Sequence, residues 1–534
     1  MKSEKGFTGA DLSIAVIIIV LFIGLIMTIF YQIYLSSSRI QRSTNANNLA
    51  ISILEKIEAM SYEEVKEGNV TAEGEYQIDN GASNTGTTSD VLKGIFVPKG
   101  YTVGIRITNY NQTEGNEGKE DIIKIVKLEI KYKVGRKEEK LEMQTLKEKN
   151  KKKVNSPKLA EGMTPIKWNG STWEETTASD PQWYDYKDTS ITGADTSLWA
   201  NAKTKDGSMW VWIPRYSYCI KSGYHCNGLT MNADGSTNEA GEIDVRFLKG
   251  TTDEYYTEQG TADRTPSLNN KDSSAATAMT NYVVHPSFTA NSEIGGWDKE
   301  LEGYWVAKYE ASRADSTAEV QGTSETIKIQ ENVLAAPIIL ENDIFLKSKN
   351  MNQNKQLSAD NIEPHQIKNS EWGAVAYLTH SQYGRNGKEV MPNTLNFITG
   401  NSNIDLKTTT TGNKTGIYDM SGGLWETSAS EFKGIYNENT QALHQETNLK
   451  YKNIYTGFDN RMFGDAIYET SSNIGTLKSY AWFQDISEGI TAEYFIQSRS
   501  GNGKINTANA CGMFFHGYYK GSSTGTGMRV VLSF

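Results

Sequence analysis

Hydrophobic and polar positions alternate in three different ways along this 534-residue chain, and each way predicts a different element. From Leu12 to Ser38 no side chain is charged, and Ser13–Phe30 is apolar almost throughout. About 20 helical residues, each rising 1.5 Å, span a bilayer core of roughly 30 Å, so this run predicts a membrane-spanning helix. A cleaved secretory signal fits less well, because its apolar region is usually about 7–15 residues and ends in a small-x-small site. Beyond the run, Ala46, Leu49, Ala50, Ile53, Leu54 and Ile57 recur at three- and four-residue steps, the mark of one buried helical face. The spacing predicts a single continuous helix from about Phe7 to Met60.

A polar Gly/Ser/Thr-rich stretch follows, and then the period changes to two. YTVGIRITNY from Tyr101, DIIKIVKLEIKYKV from Asp121 and KEEKLEMQTL from Lys137 read as strands. Ile122, Ile125, Leu128, Ile130 and Tyr132 approximate one face of the second, and Gly135–Arg136 makes a two-residue turn into the third. The pattern predicts a long helix on a small antiparallel sheet over residues 61–148. KEKNKKK then places five lysines in the seven residues Lys147–Lys153, which reads as a solvated joint or, more sharply, as a membrane-surface contact. Residues 149–207 read as a linker and Trp-rich connecting segment with Trp168, Trp173 and Trp183 as packing anchors. From there to Phe534 the chain is rich in Trp, Tyr, Gly and Asn with few long helical patterns.

Length and composition narrow the classes. Two or three domains are expected from 534 residues, and 11 Trp, 28 Tyr and 16 Phe are enough to build a core. A formal charge of −10 argues against a nucleic-acid binder. Three cysteines exclude a disulfide framework and a multi-cysteine metal module.

The first residues carry a specific motif. MKSEKG is a short polar leader with two lysines, FTGAD opens the apolar run, and Asp11 stands at its edge. This resembles the signal of type IV pilins and pseudopilins, which has Gly before the cleavage point, Phe after it and an acid at the fifth mature position. The resemblance implies that a prepilin peptidase cuts between Gly6 and Phe7, removing residues 1–6, and that the new N-terminus is methylated. Asp11 replaces the family's usual Glu; a carboxylate in lipid is tolerable when paired, and in filaments the partner is a neighbouring subunit's α-amine. A plain signal anchor with Asp11 at the interface is the alternative.

A second resemblance covers about Ser208 to Phe534. SMWVWIPRYSYCI, GYWVAKYEAS, SEWGAVAYLTHSQYG, GIYDMSGGLWETSAS, RSGNG and GMRVVLSF occur in that order. They are similar to successive blocks of the formylglycine-generating enzyme and sulfatase-modifying-factor family, whose fold is C-type-lectin-like. The fold class expected for the whole chain is therefore α+β: a transmembrane helix with a small antiparallel pilin sheet, then a large lectin-like domain, 208–534, with much irregular structure. The enzymes of that family bind copper through two cysteines four residues apart, and a soft metal of this kind needs both sulfurs. Here the first position falls near Ile505 and Cys511 lies about one step past the second, so catalysis is not expected. Cys511 reads as a small buried hydrophobe or, alternatively, a nucleophile.

The resemblance also implies a structural calcium at the turn DMSGGLWE, held by the side chains of Asp419 and Glu426 and the backbone oxygens of Gly422 and Leu424. Cys219 and Cys226 are spaced to bridge across a turn in an exported protein, or to join His225 at zinc. The segment NGKINTANACGMFFHGYYKGSSTGTG reads as irregular surface loop with Phe514 and Phe515 in the core. Its functional reading is a ligand-contact face, with Asn502, Asn506, Asn509, His516, Tyr518 and Tyr519 as candidates, because Tyr and Asn give adaptable contact at low entropy cost. The combined expectation is a minor pilin or pseudopilin. It would be made at the cytoplasmic membrane and then displayed on a pilus or the cell surface, meeting other pilin subunits through its helix and an unknown ligand through its distal domain. A membrane-tethered modifying enzyme with an atypical site and a plain single-pass surface protein are the alternatives.

Overall fold

In the computed structural model the uncharged run and the periodic segment after it form one 51-residue helix, α1 (Gly9–Ala59). Every residue of the chain is described except 1–8, 61–64, 74–75, 78–90, 93–94, 111–122, 149–155, 191–195, 223–227, 257, 270–277, 314–325, 339, 395–396, 401–405, 457–461, 473–478, 503–510 and 521–524. The architecture is mixed α+β with mostly antiparallel sheets, and the chain divides into two units, 1–152 and 153–534.

In the first unit α1 has two environments. Its N-terminal part presents Ile17, Leu21, Phe22, Leu25 and Phe30 outward, each more than half exposed, and the helix is long and apolar enough to cross a membrane. Its C-terminal part buries Ala46, Leu49, Ala50, Ile53 and Ile57, with Leu54 packed at the edge of the same cluster. The surface they meet is a four-stranded antiparallel sheet, β1 (Gly68–Glu73), β2 (Tyr101–Asn109), β3 (Ile123–Val134) and β4 (Lys137–Glu148), in sequential order. Val103, Ile105 and Ile107 of β2 and Val126, Leu128, Ile130, Tyr132 and Val134 of β3 face the helix. The expected face of β3 is thus right at Leu128, Ile130 and Tyr132. Ile125 has the opposite parity and is half-buried, and Ile122 lies outside the described residues. Gly135, at φ +62°, supplies the left-handed residue that the two-residue β3–β4 turn requires, and Val134 pairs with Lys137 across it.

The second unit contains two larger sheets. The first is seven-stranded: β5 (Thr164–Trp168), β6 (Trp173–Glu175), β7 (Asn201–Lys203), β8 (Met209–Pro214), β9 (Gly303–Ala307), β10 (Glu363–Gln366) and a C-terminal strand, Val530–Ser533. Their spatial order is β10, Val530–Ser533, β9, β8, β7, β5, β6, antiparallel throughout. Strands β5, β6 and β7, all from the 149–207 stretch expected as a connecting segment, are therefore integral to this sheet. These short strands fall below the length at which periodicity is legible, but Trp183 and Trp199 are buried in the same core. Three of the six sequence blocks named above supply the adjacent strands β8, β9 and Val530–Ser533. A fourth supplies the helix α2 (Asn369–His380), every residue of which is buried.

The second sheet has six strands. It comprises β11 (Trp425–Thr427), β12 (Ser479–Tyr480), β13 (Ile486–Ser487), β14 (Ile496–Gly501), β15 (Cys511–Tyr519) and β16 (Thr526–Met528), in the order β12, β13, β15, β14, β11, β16. Trp199, Trp210, Trp212, Trp305, Trp372 and Trp482 are essentially inaccessible, so the aromatic load builds one large core in this unit.

Candidate functional site

At the N-terminus, Gly6 and Phe7 lie outside the described residues, and Asp11 falls in the first turn of α1, with its side chain also outside them.

The DMSGGLWE turn is fixed by backbone geometry and by groups far away in sequence. Asp419, Gly422 and Gly423 all have positive φ, at +65°, +81° and +75°. A Cβ on Gly423 would lie 2.3 Å from Glu310 Oε1, so the glycine admits that carboxylate as well as the turn. Glu310 Oε1 accepts from the Leu424 amide at 2.9 Å. Asp419 accepts from Asn393 Nδ2 at 2.8 Å and from the Gly400 amide at 2.9 Å. Ser500 Oγ donates to the carbonyl of Gly422 and, at 3.0 Å, to that of Asp419. Glu426 is bidentate on Arg529, with Nε–Oε2 at 2.8 Å and Nη2–Oε1 at 2.6 Å. The guanidinium also donates to the carbonyls of Ala307 and Tyr418, at 2.8 and 2.9 Å.

The residues expected to share a calcium therefore have protein partners in this structure. Asp419 and Glu426 are directed to different protein donors, and the cation against Glu426 is Arg529, which links β16 to the last strand. Among the described residues no three His, Cys, Asp or Glu are grouped to hold a metal ion. Glu310, Asp419 and Glu426 are at most 1% exposed. Burial raises all three carboxyls. Glu310 stands well above the usual range because the charges of Glu426 and Asp419 add to the effect of burial, while Arg529 opposes the rise at all three. Of the three, Glu310 is the one most disposed to hold a proton, because Arg529 is bonded to Glu426.

The C-terminal candidates separate in the same way. Asn506 and Asn509 lie outside the described residues; Asn502 is half-buried, and its carbonyl accepts from Cys511 Sγ at 3.4 Å. His516 and Tyr518 are not surface groups. They belong to β15, which is buried on both faces from Cys511 to Tyr518. His516 Nε2 is 2.9 Å from Ser487 Oγ, and burial pushes its imidazole down to about 3. Tyr518 packs with Phe432 and Tyr455, and Tyr519 is partly buried against that cluster. The Gly- and Asn-rich flanks read as loop, but a strand covered on both sides shows no alternation to reveal it. Phe514 and Phe515 are core residues, as expected.

Cys219 is a buried thiol 3.6 Å from the carbonyl of Met279, and its expected partners His225 and Cys226 lie outside the described residues. Burial raises the Cys219 thiol, and the nearby Lys221 opposes that rise. Cys511 is also a free, buried thiol, pushed up to about 12 by burial and by the charge of Asp485. A thiol in that state is a poor nucleophile and a poor soft-metal ligand at neutral pH.

Cys511 borders a cavity of about 380 Å³, together with Asp485, Glu389, Met231, Met391 and Met513. Asp485 is carried by a tight turn in which Phe483 and Gln484 both take positive φ, 56° and 92°. The Asp485 carboxylate stands directly over Gly512, where a Cβ would lie 2.0 Å from either oxygen. One oxygen accepts from the Phe514 amide at 3.0 Å. Glu389 reaches the cavity from the loop after α2, and its Oε2 is 3.3 Å from His380 Nε2. Sequence reasoning missed Glu310, Arg529, Asp485 and Glu389. The first two lie inside or beside recognisable blocks, whereas nothing near Asp485 or Glu389 marks them.

No protein-family model matches this sequence, and no curated protein matches it either.

Proposed function

We propose that this chain is a minor pilin or pseudopilin that anchors in the membrane and joins a filament through α1, and that it presents its large unit for ligand recognition at the cell surface. The observation that carries this reading is the division of α1. Its first half is apolar and outward-facing, a surface suited first to lipid and then to neighbouring helices, while its second half packs on a small antiparallel sheet. The leader ending at Gly6, followed by Phe7 and Asp11, supports processing by a prepilin peptidase, and the bulk of the second unit favours a tip or sparse position over a repeating shaft. For the second unit the lectin-like reading rests on the six ordered blocks, and adhesion or recognition is favoured over thiol oxidation because Cys511 is held as a neutral thiol.

Mass spectrometry of the N-terminus of protein recovered from native cells tests the filament role, with a Gly6 variant as control. The expected result is a chain beginning at methylated Phe7, lost when Gly6 is replaced. A chain that retains Met1–Gly6 overturns pilin processing and leaves α1 as a simple anchor.

A further inference from the structure

The cavity beside Cys511 has a feature that the fold does not use. Asp485 is 4% exposed and lines it, yet among the described residues only one of its oxygens is hydrogen-bonded. Among the described residues the other oxygen, Oδ1, has no partner. Such a group costs free energy unless something else meets it. Glu389, 6% exposed, adds a second carboxylate to the same wall, and Met231, Met391, Met513, Val390, Pro392 and Phe483 supply the apolar remainder. A volume of about 380 Å³ lies at the lower end of small-ligand sites, which run from roughly 300 to 1,000 Å³.

We propose that this cavity binds a primary ammonium group on a short apolar chain, with Asp485 Oδ1 as its hydrogen-bond acceptor and Glu389 as a second counter-charge. The proposal rests on the recognition role given above to the large unit and names its ligand chemistry. An ammonium is favoured over a guanidinium because the Phe514 amide already occupies Oδ2, and a planar fork needs both oxygens of a carboxylate. A metal ion is disfavoured because no three suitable side chains are grouped there among the described residues. The methionine side chains fit an alkyl stem of variable shape.

The electrostatics accord with this. Burial and the charge of Glu389 hold the Asp485 carboxyl well above its usual range, with Arg499 pulling the other way. Arg499 is itself compensated by Asp465, whose charge acts on it more strongly than any other. Among the described residues, Cys511, held as a thiol, also lines the site, and His380 touches Glu389. Asp485 thus holds its proton to higher pH than an ordinary carboxyl, and an ammonium competes with that proton. Affinity rises with pH, by up to about tenfold per unit below the raised value.

The test is titration of the full chain in detergent micelles with butylammonium chloride, followed by calorimetry, with 1-butanol as the neutral control. Saturable binding of butylammonium without binding of butanol is expected. Asp485→Asn, which retains the acceptor for Phe514, weakens it by roughly tenfold or more. Met391→Trp, which fills the cavity from its half-exposed rim, abolishes it even if D485N disturbs folding. Equal binding of butanol, unchanged binding by a folded D485N, or no saturable binding by the wild-type chain overturns the proposal. Nα-acetyl-lysine methylamide separates two sources of the same group: if it binds as well, a partner's lysine side chain is the ligand, and if only butylammonium binds, a free amine is. N-terminal processing at Phe7 is measured independently, so failure of the ammonium site leaves the filament reading standing, and the reverse also holds.

Discussion

Replacing Arg529 with Met tests whether the last strand is held to the DMSGGLWE turn by a buried ion pair. Arg529 and Glu426 are both 0% exposed, and the guanidinium makes two bonds to Glu426 and one each to the carbonyls of Ala307 and Tyr418. Removing one member of a buried pair costs about 3–5 kcal/mol, because the other is left charged in a dry site. Two orphaned carbonyls add to this at about 1 kcal/mol each. Proton uptake offsets part of it, since burial already raises Glu426. The expected loss is therefore about 3–5 kcal/mol for R529M.

The double variant R529M/E426M removes both charges and replaces them with side chains of similar reach. It should recover at least about 2 kcal/mol relative to the sum of the single changes. Urea unfolding followed by tryptophan fluorescence is the assay, because all 11 tryptophans lie between Trp168 and Trp482 and report only on the second unit. A loss below about 1 kcal/mol for R529M, or additive single and double variants, refutes the pairing as a source of stability.

Glu310→Gln keeps the acceptor for the Leu424 amide and removes the titrating proton. A carboxyl raised in the folded state contributes stability that is fully present below its unfolded pKa, about 4.3, and is lost as pH rises through the folded value. E310Q should flatten the fall of stability as pH rises above about 4.3, by up to one proton, or about 1.4 kcal/mol per pH unit. In the first unit, Ile53→Ala leaves a hole at a fully buried position between α1 and the sheet, costing about 2–4 kcal/mol, which hydrogen exchange along β3 will show as loss of protection. Exhaustive chelation, and calcium added back at millimolar concentration, should leave the urea midpoint of the second unit unchanged, because protein donors already occupy Asp419 and Glu426. A midpoint that follows calcium would restore the metal site at the turn.

What was legible in the sequence was whatever a single segment decides for itself. The uncharged run and the three- and four-residue spacing of Ala46, Leu49, Ala50, Ile53 and Ile57 specify α1 and its buried face without help from elsewhere. The Gly135–Arg136 turn and the alternation around Leu128–Tyr132 are equally local. Where burial comes from distant elements, the same reasoning fails. β15 has no outward face, so Cys-Gly-Met-Phe-Phe-His-Gly-Tyr-Tyr reads as a contact loop and folds as core. The DMSGGLWE turn stands between the two cases. Its glycines announce a tight backbone, but a local reading cannot tell what that backbone receives. Glu310 enters over Gly423 from 114 residues before its bonding partner Leu424, and Arg529 reaches Glu426 across 103. Two carboxylates bracketing a glycine pair therefore fit either a cation site or an ion pair, and the Arg529 contact is invisible to a local reading. The acidic cavity follows the same rule, because Asp485 becomes a candidate ligand only where Gly512 lets it stand over β15 and leaves Oδ1 unmet.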